Sequence, residues 1–372
     1  MKKSTLRLGV IGGSINSAVG YAHFNACSLD GHFRVEAGCF SRHSEQNEQS
    51  ARIYDVLPDR NYSDWKELLY SEMGLIDAVV ILTPTPYHAE IAIEAIKAGY
   101  PVLCEKALAT SSYECTRILK IINEYDGYLA VAYNYSGYPM VRELRRMVCE
   151  GQFGSLQNIQ IEMPQEGFLR VITNPQKWRQ RDYEVPTVSL DLGVHVHHMV
   201  DFISGGLKPL AVVGEHANYG QISEVIDNVY CIARYEKDMR VQAWWGKTAL
   251  GYRNGLRVRV FGEKASAEWY QMDPEILRCA DNDGRRFSLD RGSSEAQIAQ
   301  EKRYNRFKAG HPSGFIEAFA NLYADFAEEI RGGQDVKGKN PYVFGAKHAA
   351  DGLRVMEAIS DSALNNKWVS LT

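Results

Sequence analysis

From Thr5 to Ala132 short apolar runs alternate with segments whose apolar residues recur every three or four positions. The runs are Thr5–Ile11 (TLRLGVI), Phe33–Phe40, Ile76–Leu82, Pro101–Cys104 and Tyr128–Ala132. Several are apolar at nearly every position, as strands covered on both faces must be. Between them PYHAEIAIEAIKAG sets Ile91, Ala95 and Ala98 on one helical stripe and stops at Gly99. Strands and helices alternating at this spacing predict an α/β domain built on a doubly wound parallel sheet.

Beyond about Val131 the pattern changes. Leu156–Met163, Asn228–Tyr235, Met239–Trp245 and Leu256–Gly262 are strand-like. In the last of these Leu256, Val258 and Val260 alternate with Arg257 and Arg259, the mark of an antiparallel sheet with one packed face. Two amphipathic helices follow, one with Phe315, Phe319, Leu322 and Phe326 on its stripe, the other with Leu353, Met356 and Ile359. The predicted division is a dinucleotide-binding domain over 1–132 and an α+β domain over 133–372, with a large, open, mostly antiparallel sheet.

Bulk composition narrows the classes. With 372 residues, 45% hydrophobic, each domain can bury a core without disulfides or metal. A net charge of −4 and no basic block argue against nucleic acid or an anionic membrane surface as partner. The seven cysteines show no CxxC or Cys/His ligand spacing, and the nearest pair, Cys104 and Cys115, is eleven apart. That points away from structural zinc and toward a reducing, cytoplasmic setting. No apolar run is long enough to read as a signal peptide or membrane span.

Chemistry gathers at strand ends. GVIGGSINSAVGYAH closes the first strand, and glycines there let backbone approach a pyrophosphate at a helix N-terminus. Gly12 takes the first position and Gly20 the third; Gly13 and Ser14 compete for the middle one. An ordinary tight turn would look similar, so its place after the first strand carries the argument. The second strand ends in Ser41 and Arg42, where an acid would hold a ribose 2′-hydroxyl. A hydroxyl followed by a guanidinium suits a 2′-phosphate, which favours NADP over NAD. Thr83 and Pro84 follow the third strand as cofactor contacts, with His88 beside them at a helix start.

Glu105 and Lys106 stand where the strand PVLC stops. An ammonium there can donate to a carbonyl or alkoxide oxygen during hydride transfer, and the acid can bind cofactor or orient the lysine. In the second half SLDLGVHVHHMVDF holds Asp191, His195, His197, His198 and Asp201. On a helix Asp191 and His195 are i,i+4 neighbours, and a carboxylate fixes an imidazole's tautomer and raises its basicity. Zinc binding is the rival use of such residues, and burial of satisfied histidines in a core helix is the plain one; His197, off the stripe, fits the latter.

Together these residues resemble the Gfo/Idh/MocA oxidoreductases, the family of glucose–fructose oxidoreductase and inositol dehydrogenase. GVIGG, TPTPYHAEIAIEAIKAGYPVLCEKALA, GQFGSLQNIQ, DLGVH and GEKASAEW carry the resemblance, which spans nearly the whole chain. It implies an N-terminal Rossmann domain and a C-terminal open sheet through which members form homodimers or homotetramers. It places the catalytic lysine on Lys106 and the Asp–His pair on Asp191 and His195. It places cofactor contacts on Gly12, Gly13, Ser41, Arg42, Thr83, Pro84, Glu105 and Asn134, to which the strand-end reading adds Ser14 and His88. Trp178, Arg179 and His311 become substrate-pocket residues by the resemblance, His198 joins them from its place near the Asp191–His195 stripe, and no metal is expected. The implied activity is NAD(P)-dependent hydride transfer to or from a hydroxyl or ketone of a sugar, cyclitol or sugar derivative. A regulator that senses NAD(P) on the same fold is the alternative. Two departures stand out: the family's EKP is EKA here, through Ala107, and its glycine-rich segment before Asp191 is YEVPTVSL.

Overall fold

The computed structural model describes residues 4–170, 176–333 and 337–371. In chain order the strands are β1 (Leu6–Gly12), β2 (Phe33–Cys39), β3 (Ala78–Leu82), β4 (Val102–Cys104), β5 (Leu129–Val131), β6 (Leu156–Pro164) and β7 (Pro209–Ala217). They continue with β8 (Asn228–Tyr235), β9 (Arg240–Gly246), β10 (Arg257–Gly262), β11 (Ala265–Tyr270), β12 (Asp273–Asp281), β13 (Arg286–Leu289) and β14 (Val369–Ser370). The helices are α1 (Gly20–Leu29), α2 (Ser44–Ile53), α3 (Trp65–Ser71), α4 (His88–Lys97), α5 (Ser112–Glu124) and α6 (Pro139–Cys149). After these come α7 (Val194–Ser204), α8 (Phe315–Gly332) and α9 (Ala346–Asn365).

The chain forms two compact units, Met1–Gly137 with Phe315–Ala350, and Tyr138–Gly314 with Asp351–Thr372. Where the sequence pattern drew one boundary at residue 132, the chain returns to the first unit through α8. An amphipathic stripe demands cover but does not say which sheet supplies it.

The first unit holds a parallel sheet ordered β2-β1-β3-β4-β5 among the described residues. All five residues of β3 are buried, as its unbroken apolar run requires. Phe319, Leu322, Tyr323 and Phe326 of α8 share one core with Leu8, Val10, Val80 and Leu103 of the strands. Strand order reverses between β1 and β3. In an open α/β sheet the crevice at the carboxyl ends of such a pair is where ligands bind.

The second unit carries the sheet β13-β12-β11-β10-β6-β9-β8-β7-β14, antiparallel except for the parallel pair β6–β9. Val258 and Val260 are buried and Arg257 and Arg259 are not, so the predicted alternation in β10 holds. Trp245 of β9 and Trp269 of β11 are fully buried; each contributes on the order of 4–6 kcal/mol by area before entropy is counted. Every residue of α7 is buried. It is therefore a core helix.

Candidate active site

In the first unit the turn after β1 is built for close backbone approach. Gly12 and Gly13 have φ of 84° and 70°, a region that side chains avoid. A Cβ on Gly12 would meet the Leu82 carbonyl carbon at 2.7 Å, and one on Gly20 would meet the Gly13 oxygen at 2.2 Å. Gly20 thus serves where α1 passes closest to the turn, as its third-glycine reading requires. Tyr54 Oη donates to the Gly13 oxygen at 3.1 Å, and Ile15 N donates to Ser50 Oγ at 3.1 Å. These bonds tie the loop to α2. Ser14 is buried within it.

At the end of β2 Ser41 Oγ donates to Gln46 at 2.9 Å and accepts from His43 N at 3.1 Å, while Arg42 is exposed. Thr83 follows β3, and its Oγ1 is buried without a hydrogen-bond partner. Asn134 is 2% exposed, and its Nδ2 is likewise buried and unpartnered. Leaving such atoms unmet costs about 1–3 kcal/mol each, so they fit donors and acceptors of a bound ligand. Together with the glycine turn, these atoms meet what a dinucleotide needs.

His88 opens α4, as its sequence position suggests, and its ring turns to backbone oxygens. It is 1% exposed, with Nδ1 2.8 Å from the Ala107 oxygen and Nε2 2.6 Å from the Thr83 oxygen. Its ring is committed to the backbone on both sides of the strand-end loops, which makes it a staple between the turns bearing Thr83 and Lys106. Burial pushes its pKa down, against the pull of the two carbonyls. Glu105 is buried and lies against His23, and Lys106 is half-buried. The Lys106–Ala107 peptide is cis. Pro84 is exposed.

In the second unit Asp191 lies in a π-helical turn, Ser189–Gly193, that leads into α7. The turn seats on the end of β9: Trp245 Nε1 donates to Ser189 Oγ at 3.1 Å. A Cβ on Gly193 would meet Trp245 at 2.9 Å. Two cations reach Asp191 Oδ2: Nζ of Lys247, just beyond β9, and Nη1 of Arg179. Asp191, His195 and Lys247 are 8%, 4% and 8% exposed.

Lys247 was absent from the sequence reading, since it stands 56 residues from Asp191. Its sequence signal is similar to that of Lys106, a lysine close behind an apolar run, here AWWG. Arg179 also stacks over Trp178, its Cζ 4.5 Å from the ring, and both side chains donate to Gln176 Oε1.

The YEVPTVSL segment is held by Asp182, which accepts from Thr187 N at 2.7 Å and Ile226 N at 2.8 Å. Of the other predicted residues, His197 packs on Gly352, His198 is fully buried and Asp201 sits 3.6 Å from Lys208 Nζ. His311 is exposed and lies edge-on to Phe307, with centroids 4.5 Å apart. Among the described residues no group of three His, Cys, Asp or Glu side chains is arranged to hold a metal ion.

The sequence pattern described as oxidoreductase family, NAD-binding Rossmann fold, matches residues 6–133, and that of the GFO/IDH/MocA C-terminal domain matches residues 141–268. The oxidoreductase YfiI of Bacillus subtilis (strain 168) is 28% identical over 340 residues, 87% of this chain and 85% of its own. An inositol 2-dehydrogenase of Rhizobium meliloti (strain 1021) is 22% identical over 311 residues, 78% of each chain. The crystal structure of an inositol dehydrogenase homologue from Azotobacter vinelandii, complexed with NADH and myo-inositol, covers 99% of this chain and 98% of its own, with TM-score 0.89 and 25% identity. With a parallel nucleotide-type sheet, a glycine turn at its switch point and both family patterns in sequence, the protein belongs to the GFO/IDH/MocA family of oxidoreductases.

Proposed function

We propose that this protein is an NAD(P)-dependent dehydrogenase or reductase acting on a hydroxyl or ketone of a sugar, cyclitol or sugar derivative. The observation that carries the reading is the set of buried, unpartnered polar atoms, Thr83 Oγ1 and Asn134 Nδ2, set with the strained glycine turn at the carboxyl ends of a parallel sheet. Similarity to an inositol 2-dehydrogenase and to an inositol dehydrogenase homologue solved with NADH and myo-inositol supports the substrate class.

The nicotinamide supplies the hydride acceptor or donor. Gly12, Gly13 and Ser14 bring backbone to the phosphates, and Thr83, Glu105 and Asn134 hold the remainder. Arg42, exposed beyond β2 with no acid in its place, favours a 2′-phosphate and hence NADP. Lys106 donates to the substrate oxygen as its charge changes, and His195 takes the hydroxyl proton in oxidation or returns it in reduction. Asp191 orients that exchange. Lys247 and Arg179 keep Asp191 in place, and a polyhydroxylated substrate competes with them for its carboxylate. Along β8 Tyr230 and Ile232 are exposed on the open face of the sheet, in keeping with a homo-oligomer formed there. Six of the seven cysteines are buried, which suits a reducing, cytoplasmic setting.

Turnover of a panel of polyols, aldoses and sugar acids with NAD+ and NADP+ tests the proposal. The expected result is turnover of at least one compound, with NADP+ preferred. Lys106→Ala should lower kcat by about 10²–10⁴-fold while cofactor affinity persists. Tight cofactor binding with no turnover across the panel would sink the enzymatic reading. Arg42→Ala leaving the NADP+ to NAD+ affinity ratio unchanged would sink the cofactor preference.

A further inference from the structure

Glu105, the first residue after β4, is 6% exposed. A buried carboxylate is costly unless donors meet it. The group that meets it is His23, three residues into α1 from Gly20, with Nε2 2.9 Å from Glu105 Oε1. The other ring nitrogen, Nδ1, lies 2.8 Å from Tyr323 Oη on α8. His23 and Tyr323 are each 2% exposed, and Phe319 covers the imidazole with ring centroids 4.4 Å apart.

Burial, reinforced by Cys27 and Glu105, pushes the Tyr323 phenol well above its ordinary range, so it keeps its proton. That proton is donated to Nδ1. Nε2 then carries the ring proton and donates it to Glu105, which settles the tautomer. Phenol, imidazole and carboxylate form one directed chain, and it links the helix entered from the glycine turn to the end of β4.

We propose that this Tyr323–His23–Glu105 chain holds the Glu105 carboxylate as a stationary negative charge, through which the first unit favours the oxidised, cationic nicotinamide over the reduced, neutral one. Lys106 by itself disfavours a cationic ring nearby, and a fixed carboxylate beside it offsets that repulsion. A carboxylate free to rotate toward solvent would be screened and would discriminate far less. His23 is a positioning residue here, because it acts through Glu105. The inference rests on Glu105 being a cofactor contact, as proposed above.

The test measures dissociation constants of NADP+ and NADPH by calorimetry on the full chain without substrate, with circular dichroism to confirm folding. Glu105→Gln is expected to shift the oxidised-to-reduced affinity ratio toward the reduced form by about tenfold. His23→Leu is expected to shift it the same way, roughly three- to tenfold, and Tyr323→Phe less. His23→Gln, whose amide nitrogen reaches the Nε2 position, should retain most of the wild-type ratio. Should His23→Leu not fold, His23→Asn replaces it: that amide reaches toward Tyr323 but not Glu105, so the ratio should drop. If Glu105→Gln leaves both affinities unchanged, the cofactor-contact reading fails and the chain's role fails with it. If Glu105→Gln shifts the ratio but folded His23→Leu or His23→Asn does not, or if His23→Gln loses as much as they do, the positioning role alone is overturned.

Discussion

Both units place a lysine just past the end of a strand, and the two stand in different surroundings. Lys106 is the second residue after β4, at the carboxyl-end side of a parallel sheet. Lys247 comes directly after β9, in a mostly antiparallel sheet, and is committed to Asp191. In sequence the two look alike, VLCEK and AWWGK. Topology separates them: parallel strands present all their ends on one edge, where a ligand is the common neighbour. An antiparallel sheet has no such edge, and its lysine finds a carboxylate of the same unit.

The largest effect that would sharpen this contrast is at Lys247. Lys247→Met removes one of the cations that reach the buried Asp191, and removing one partner of a buried pair costs about 3 kcal/mol or more. Urea unfolding of Lys247→Met, Asp191→Asn and the double variant should show coupling of about 1–3 kcal/mol. Additive losses would mean that Lys247 is not held by Asp191, and the contrast with Lys106 would fall.

Next in size is Gly12→Ala in the first unit. Its φ of 84° and the 2.7 Å approach to Leu82 predict a loss of about 2–3 kcal/mol together with weakened cofactor binding. Gly74→Ala is the control, because φ is 75° there but a Cβ meets nothing within 4 Å. It should cost only about 1 kcal/mol and leave cofactor affinity intact. Equal losses at the two sites would remove the case for a crowded turn.

The smallest effect is pH dependence, read from buried His88 in the first unit and half-buried His216 in the second. Burial lowers the pKa of His88 and of His216, in the latter case against the pull of Asp182. The unfolded chain therefore binds more protons than the folded one once pH falls through 6.5, the ordinary histidine value, and stability is lost toward acid. Each histidine contributes at most about 1.4 kcal/mol per pH unit to that slope. Comparing the unfolding midpoint at pH 7 and pH 5 in wild type, His88→Asn and His216→Asn should show a shallower acid loss in each variant. An unchanged slope in His88→Asn would show that its two carbonyl contacts keep the ring protonated, contrary to the effect of burial.

Much of the first unit was legible because its rules are local. Continuous apolar runs mark strands covered on both faces, and the residues at their carboxyl ends follow from them; Gly12, Thr83, Glu105 and Lys106 could be placed at strand ends in this way. His88 shows the limit. Its position beside those ends was readable, but its commitment to Ala107 and Thr83 depends on where two loops meet. In the second unit the Asp191–His195 spacing was visible, whereas the π turn that holds Asp191 packs on Trp245 through Gly193 and Ser189.

By itself the sequence determined the elements, the parallel character of the first sheet, the alternation in the second and the family, since all of these follow from periodicity and from contiguous motifs. Only the tertiary structure decided that α8 covers the first unit, that His23 meets Glu105 and Tyr323, and that Lys247 and Arg179 meet Asp191. The physical reason is range. Local patterns state that a stripe must be covered and a buried charge paired, but partners 56, 82 and 300 residues away are chosen by how the chain packs.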